Sequence, residues 1–234
     1  MIPAYWRLNV KLLPSSSRDA FVGASVSFCE CNAVFLLETS AYNLSPIERS
    51  MTDIYGNDRV EILSGPELGR TLTRLASQVL EQVSDSRALL LIGIPTRGVH
   101  LSQVLAEELE AIIGHPIAHG SLDPTFHRDD LVRIGTRMVQ PTDLPTTVEG
   151  RQVVLVDDVI FTGRTVRAAL EALQTWGRAQ RVMLLVMVDR GHREVPIQPD
   201  FCGRQVPTRR NEAIELRLRD IDGEEGVFLR KTTE

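Results

Sequence analysis

The chain has 234 residues, 43% of them hydrophobic and 24% charged, an ordinary globular composition with room for one α/β domain and an appendage. A formal net charge of −5 excludes a broad positive field that would gather nucleic acid, so any such contact must use a local patch. No apolar run reaches the roughly 18–20 residues of a membrane span, and three cysteines, Cys29, Cys31 and Cys202, are too few and odd in number for a disulfide framework, which points to a reducing cytoplasm.

Residues 1–50 carry six of the twelve aromatics, two of the three cysteines, and four basic against four acidic side chains, with neither strand alternation nor a helical period. Cys29-Glu30-Cys31 lacks the spacing and second ligand pair of a zinc site. The apolar stretch near Ala20 to Leu37 is interrupted and too far from the terminus for a signal peptide. Met1 to Ser50 therefore reads as a poorly ordered extension, and 51–234 as the folded domain.

From Met51 onward the pattern is regular. Ser64-Gly65-Pro66-Glu67 predicts a capping box opening an amphipathic helix to about Val83, with Leu68, Leu72, Leu75, Val79 and Leu80 on one side. "ALLLIGIP" (88–95) reads as a buried strand, followed by Thr96-Arg97-Gly98 and a helix from about Val99 to Ile113 that Gly114 ends. A second strand is expected over about Pro116 to Leu122. The polar, proline- and threonine-rich run 128–150 is long enough to suggest a flexible flap. "QVVLVDD" (152–158) is the third strand, Arg164 to Trp176 its helix, and "RVMLLVMVDRG" (181–191) the fourth strand. Glu212 to Arg230 predicts a hairpin turning at Asp222-Gly223. The alternation implies a central, mostly parallel sheet flanked by helices, with ligands bound at the carboxyl ends of its strands.

Three features fall at those ends. Asp157 and Asp158 stand side by side where the third strand stops, and Thr162-Gly163-Arg164-Thr165 opens the next helix. Backbone N–H groups at a helix N-terminus, assisted by the dipole, suit a phosphate, and Gly163 lets the backbone approach it. The two carboxylates are acceptors for vicinal hydroxyls. A phosphate at one end and a diol nearby describe a ribose 5-phosphate. Thr96, Arg97 and Gly98, after the first strand, offer a hydroxyl, a guanidinium fork and a close-approach glycine suited to a second phosphate group, a pyrophosphate.

The run "VVLVDDVIFTGRT" (153–165) resembles the phosphoribosyl pyrophosphate fingerprint of the type I phosphoribosyltransferases. "IGIPTRGVHL", "RDDL", "LVDDVIFTGRTVRAALEAL" and especially "VDRGHREVPIQPDFCGRQVPT" narrow the resemblance to the PyrR family of bacterial pyrimidine regulators that are also uracil phosphoribosyltransferases. The similarity runs from about Arg59 to the C-terminal hairpin and leaves residues 1–50 without a counterpart. It implies the type I phosphoribosyltransferase fold, and transfer from phosphoribosyl pyrophosphate to uracil to give UMP and pyrophosphate. Mg²⁺, Thr96, Arg97 and a flap arginine, Arg137, would neutralise the leaving group. Asp157 and Asp158 would hold the ribose, directly or through metal-bound water, while Val159 and Arg190 border the base. The resemblance assigns no metal ligand directly to the protein.

The same family binds the leader of pyrimidine operon mRNA when UMP is bound. Its pattern places Thr73, Arg74, His192, Arg193 and Arg204 on one basic surface, and residues 190–210 carry five arginines against Glu194 and Asp200. Ser77 and Gln198 stand where RNA-binding relatives have histidine and often arginine, so RNA affinity is expected to be weaker. The expected protein is a cytoplasmic homo-oligomer without membrane partners. Two alternatives stand beside it: a transferase with weak or lost RNA binding, and a nucleotide-sensing regulator without turnover. A chain beginning at Met51 is expected to keep fold and activity; a melting temperature lower by many degrees would instead show that residues 1–50 pack on the domain.

Overall fold

The computed structural model describes residues 59–129 and 139–231. The expected extension Met1 to Ser50 and the flap residue Arg137 lie outside the described residues. The elements in chain order are β1 (Arg59–Ser64), α1 (Gly65–Gln82), β2 (Leu89–Gly93), α2 (Arg97–Ile113), β3 (Ala118–Ser121), β4 (Gln152–Ile160), α3 (Arg164–Gln174), β5 (Arg181–Asp189), β6 (Phe201–Gln205), β7 (Glu212–Arg217), α4 (Arg219–Asp222) and β8 (Gly226–Lys231).

Five strands form one parallel sheet in the order β3-β2-β4-β5-β6. β4 lies at its centre, and Gln152 through Asp157 are all buried, which is why that strand reads as a continuous apolar run rather than an alternation. Side-chain alternation separates two cores. Leu89, Leu91, Val154 and Val156 join Leu68, Leu72 and Leu75 of α1 and Leu101, Leu105 and Leu109 of α2. Leu90, Ile92, Val153 and Leu155 join Val166, Ala169 and Leu173 of α3. Helices thus cover both faces, as the type I phosphoribosyltransferase fold requires.

Local signals set the helix ends. The Glu67 carboxylate accepts from the Ser64 N–H (2.9 Å) and the Ser64 hydroxyl (2.8 Å), tying down the entry to α1. α2 stops at Gly114, whose φ of +76° lets its N–H reach the Glu110 carbonyl.

Three expectations change. The C-terminal hairpin is present as β7 and β8, but it joins β1 in a separate antiparallel sheet, β1-β8-β7, with the short helix α4 at its turn. Leu63, Leu216 and Val227 seat this sheet on the α1/α2 side of the core. A fifth parallel strand, β6, was not foreseen: Phe201 is its one buried large apolar residue, so it carries no run of its own. The flap is shorter than 128–150. Asp143 exchanges backbone hydrogen bonds with Ser121 (2.8 and 3.0 Å), and Val148 is fully buried in the α3-side core, so the run is anchored to β3 at Asp143 and to the core at Val148.

Among the described residues no helix is long and apolar enough to cross a membrane.

Candidate functional site

A cleft opens at the carboxyl end of β4, lined by Arg128, Asp157, Val159, Phe161, Gly163 and Thr165 among others. The central strand ends there and α3 begins within four residues, so one short connection supplies both carboxylate and N–H groups. The first α3 bond runs from the Arg167 N–H to the Gly163 carbonyl (3.0 Å), which leaves the N–H groups before it without intrahelical partners. Gly163 has φ +86°, and a Cβ there would lie 2.7 Å from Val195 Cγ2, so only glycine serves this turn.

Asp157 is buried and Asp158 half-buried. One oxygen of Asp157 accepts the Asp158 N–H (3.0 Å), and one oxygen of Asp158 accepts the Val159 N–H (2.8 Å). These short contacts fix both side chains where the strand stops.

Arg164 does not aim its guanidinium at the turn. Its Nε donates to Glu194 (2.8 Å) and its Nη1 to Asp129 (2.7 Å), so the side chain spans the cleft rim while its backbone N–H stays in the turn. Thr162 and Thr165 keep their hydroxyls at the cleft, and Arg128, for which there was no expectation, donates to Thr165 Oγ1. Arg128 stands in the "RDDL" segment, which was the available signal.

Phe161 also lines the cleft without having been foreseen. The Arg190 guanidinium lies 4.0 Å from its ring centroid, and His192 meets the ring edge-on at 5.6 Å. Arg190 is buried, donating to Thr208 Oγ1 (3.1 Å) and the Arg209 carbonyl (3.1 Å). Burial pulls its pKa below the ordinary arginine value, with Glu212 opposing. The Arg190 guanidinium thus stacks on the Phe161 ring, and Val159 lines the cleft beside it.

Thr96, Arg97 and Gly98 lie at the end of β2, the neighbouring strand, with the Pro95–Thr96 peptide cis. Thr96 is exposed. At Gly98 a Cβ would fall 2.4 Å from the Val156 carbonyl oxygen, so packing of α2 on β4 by itself requires glycine there. Arg97 donates through Nη2 to Asp222 (2.9 Å) of the small sheet.

The expected basic surface divides. Arg74 donates to the Gly203 carbonyl (2.7 Å) and Arg204 to the Ile62 carbonyl (3.0 Å), and the two border one groove together with Arg70, Thr71 and Glu67. Arg70 adds a cation that had no assignment. Thr73 is exposed on the same helix but donates to Glu108 of α2 (2.8 Å). His192 sits in a separate crevice with Arg190, Gln205 and Thr208, its Nε2 2.6 Å from the Thr208 carbonyl. Arg193 is largely turned into the structure. It is 13% exposed, pairs with Asp189 (2.7 Å), and donates to the Phe161 and Ile197 carbonyls (both 2.9 Å).

A family model described as the phosphoribosyl transferase domain matches residues 58–213. The protein named bifunctional protein PyrR from Microcystis aeruginosa is 51% identical over 172 residues, covering 74% of this chain and 97% of that protein. The one from Gloeothece citriformis is 52% identical over 175 residues, 75% of this chain and 99% of its own. Among solved structures, the hypoxanthine phosphoribosyltransferase of Trypanosoma cruzi superposes with a TM-score of 0.56 at 16% identity, over 74% of this chain and 97% of that one, a likeness of fold. With this extent of match, and with a strand-end carboxylate pair leading into a glycine turn that opens α3, the chain belongs to the PyrR family of phosphoribosyl transferase domain proteins.

Proposed function

We propose that this protein transfers the phosphoribosyl group of phosphoribosyl pyrophosphate to uracil, releasing pyrophosphate and UMP, and that with UMP bound it attaches to the leader of pyrimidine operon mRNA in the cytoplasm. The observation that carries the enzymatic half is the cleft at the end of β4, where buried Asp157 stands seven residues before the first N–H groups of α3. A 5′-phosphate takes the N–H groups of the 162–165 turn and the Thr162 and Thr165 hydroxyls. Asp157 and Asp158 accept from the ribose hydroxyls, and Val159 and Phe161 border the base. Thr96 and Arg97 receive the pyrophosphate.

The anomeric carbon exchanges its bond to pyrophosphate for one to uracil N1, through an oxocarbenium-like state, and uracil gives up the N1 proton. The chain contributes orientation and neutralisation of charge rather than a covalent step. Among the described residues no three His, Cys, Asp or Glu side chains gather as a metal cage. Mg²⁺ uses one or two carboxylates with waters and substrate phosphates, a donor set that Asp157 and Asp158 fit. Bound with phosphoribosyl pyrophosphate, it supplies charge neutralisation at the leaving group. A uracil turnover assay with titration of UMP tests this half: no UMP formed and no UMP bound would reject it.

The regulatory half rests on the groove holding Arg70, Arg74 and Arg204, three cations in a protein of net charge −5. Arg74→Gln with Arg204→Gln is expected to weaken leader RNA and to reduce the salt slope by about 0.7 per lost phosphate contact to single-stranded RNA. Uracil transfer should change little. UMP should tighten RNA, and linkage requires RNA to tighten UMP by the same factor. Leader RNA binding no better than a scrambled sequence with UMP saturating would leave an enzyme alone.

A further inference from the structure

Asp222 lies in the turn between β7 and β8, far in sequence from the cleft, yet its carboxylate meets the residue assigned to pyrophosphate. Arg97 Nη2 donates to Asp222 Oδ1 at 2.9 Å, and Arg217 Nη1 donates to the same oxygen at 3.1 Å. The other oxygen accepts the Leu218 N–H at 3.0 Å. The Asp222 side chain is 7% exposed. Burial works against its charge, but the Leu218 N–H and the two guanidinium groups outweigh it and hold the carboxyl below its ordinary pKa.

The asymmetry of these bonds gives the direction of the effect. Asp222 is fixed by its own turn, through Leu218, Arg217 and the left-handed Gly223 that ends α4, whether or not Arg97 arrives. Arg97 has no comparable hold. It begins α2, its Nε is buried without a hydrogen-bond partner among the described residues, and Nη2 to Asp222 is its described side-chain bond. A guanidinium is a planar fork, so fixing one nitrogen orients the others.

We propose that Asp222 is a positioning residue for transfer: it sets the direction of the Arg97 fork toward the leaving pyrophosphate, making the small C-terminal sheet a working part of the site. The inference rests on the reading that Arg97 meets pyrophosphate. It gives the β7–β8 turn a role that motif comparison along the 153–165 fingerprint does not reach, since Asp222 lies outside that fingerprint.

The experiment is a double-mutant cycle on the full chain with Asp222→Asn, Arg97→Gln and the pair, reading steady-state kinetics, magnesium pyrophosphate affinity by titration, and melting temperature. Asn keeps an acceptor for the Leu218 N–H. Asp222→Asn should raise KM for phosphoribosyl pyrophosphate and weaken magnesium pyrophosphate by roughly 10- to 100-fold, the scale of a misplaced binding group. KM for uracil should stay within about twofold, a split that general loosening of the fold does not produce. In the Arg97→Gln background the same substitution should add no further loss. Asp222→Glu, which keeps the charge but displaces the carboxylate by one methylene, serves if the Asn variant folds poorly and should show the same split. Unchanged pyrophosphate affinity in a folded Asp222 variant, or an equal loss with and without Arg97, overturns the positioning role. An Arg97→Gln protein with normal pyrophosphate affinity rejects the underlying assignment of Arg97 instead, and the positioning role with it.

Discussion

Asp157→Asn and Asp158→Asn are each expected to lower uracil phosphoribosyl transfer by roughly 10²–10³-fold, about 2.7–4 kcal/mol of transition-state stabilisation, the cost of losing one preorganised polar contact. The geometry makes asparagine a clean test. Each carboxylate commits one oxygen to the N–H of the next residue, at 3.0 and 2.8 Å. An asparagine carbonyl accepts that bond equally well, so side-chain direction survives while the charge is lost. What disappears is the negative charge facing a cationic, oxocarbenium-like ribose and any metal-bound water. Two adjacent carboxylates repel in the folded protein, so neutralising the half-buried Asp158 is not expected to lower the melting temperature. A drop in turnover without a drop in melting temperature therefore reports on the chemistry. Turnover near normal in both variants would remove the pair from the mechanism.

Why β4 and its site were legible in the sequence, and the basic surface was not, follows from how each encodes its position. β4 is buried on both faces, so its apolar run is unbroken, and the turn after it, Thr162-Gly163-Arg164-Thr165, gathers a glycine and two hydroxyl residues within four positions. Such a segment states its own geometry. β6 owes its place to pairing with β5 and buries one large side chain, Phe201, so its sequence holds no pattern to read. β1 joins the β7–β8 hairpin by pairing with β8, Arg59 opposite Arg230, and the Arg59 side chain also meets Glu224, 165 residues away, at 2.6 Å. Local reading finds the hairpin and misses its third strand. A count of arginines over 190–210 gives net charge without direction: of the five, Arg190 backs Phe161 and Arg193 points inward, while Arg204 reaches the groove. Asp189, four residues before Arg193, was the signal that a partly buried pair was available. Arg97 and Asp222 carry no such signal, being 125 residues apart.

Arg193→Ala is expected to cost about 3–5 kcal/mol of stability: the ion pair is only partly buried, but its loss adds to that of two hydrogen bonds to backbone carbonyls. Arg193 and Asp189 are 13% and 11% exposed, so solvent screens the pair little. The loss goes beyond one pair. Arg193 Nε holds the Ile197 carbonyl and Nη1 the Phe161 carbonyl, both at 2.9 Å, and the segment after it is bonded to the phosphate turn by Glu194 N–H to the Thr162 carbonyl at 3.0 Å. Without the guanidinium, Asp189 keeps the Gly191 N–H at 2.9 Å as its described donor, and the carbonyls it bound lose theirs. For a domain of this size, that cost lowers the melting temperature by roughly 6–20 °C. Arg204→Gln, at an exposed position, should leave stability within about 0.5 kcal/mol while weakening RNA. The two substitutions therefore separate along different axes: Arg193 through melting temperature and transfer, because it ties the 190–197 segment to the turn proposed to bind phosphate, and Arg204 through the salt slope of RNA binding. An Arg193→Ala protein that melts like the wild type and loses leader RNA with a smaller salt slope would place Arg193 on the RNA surface and reverse this assignment.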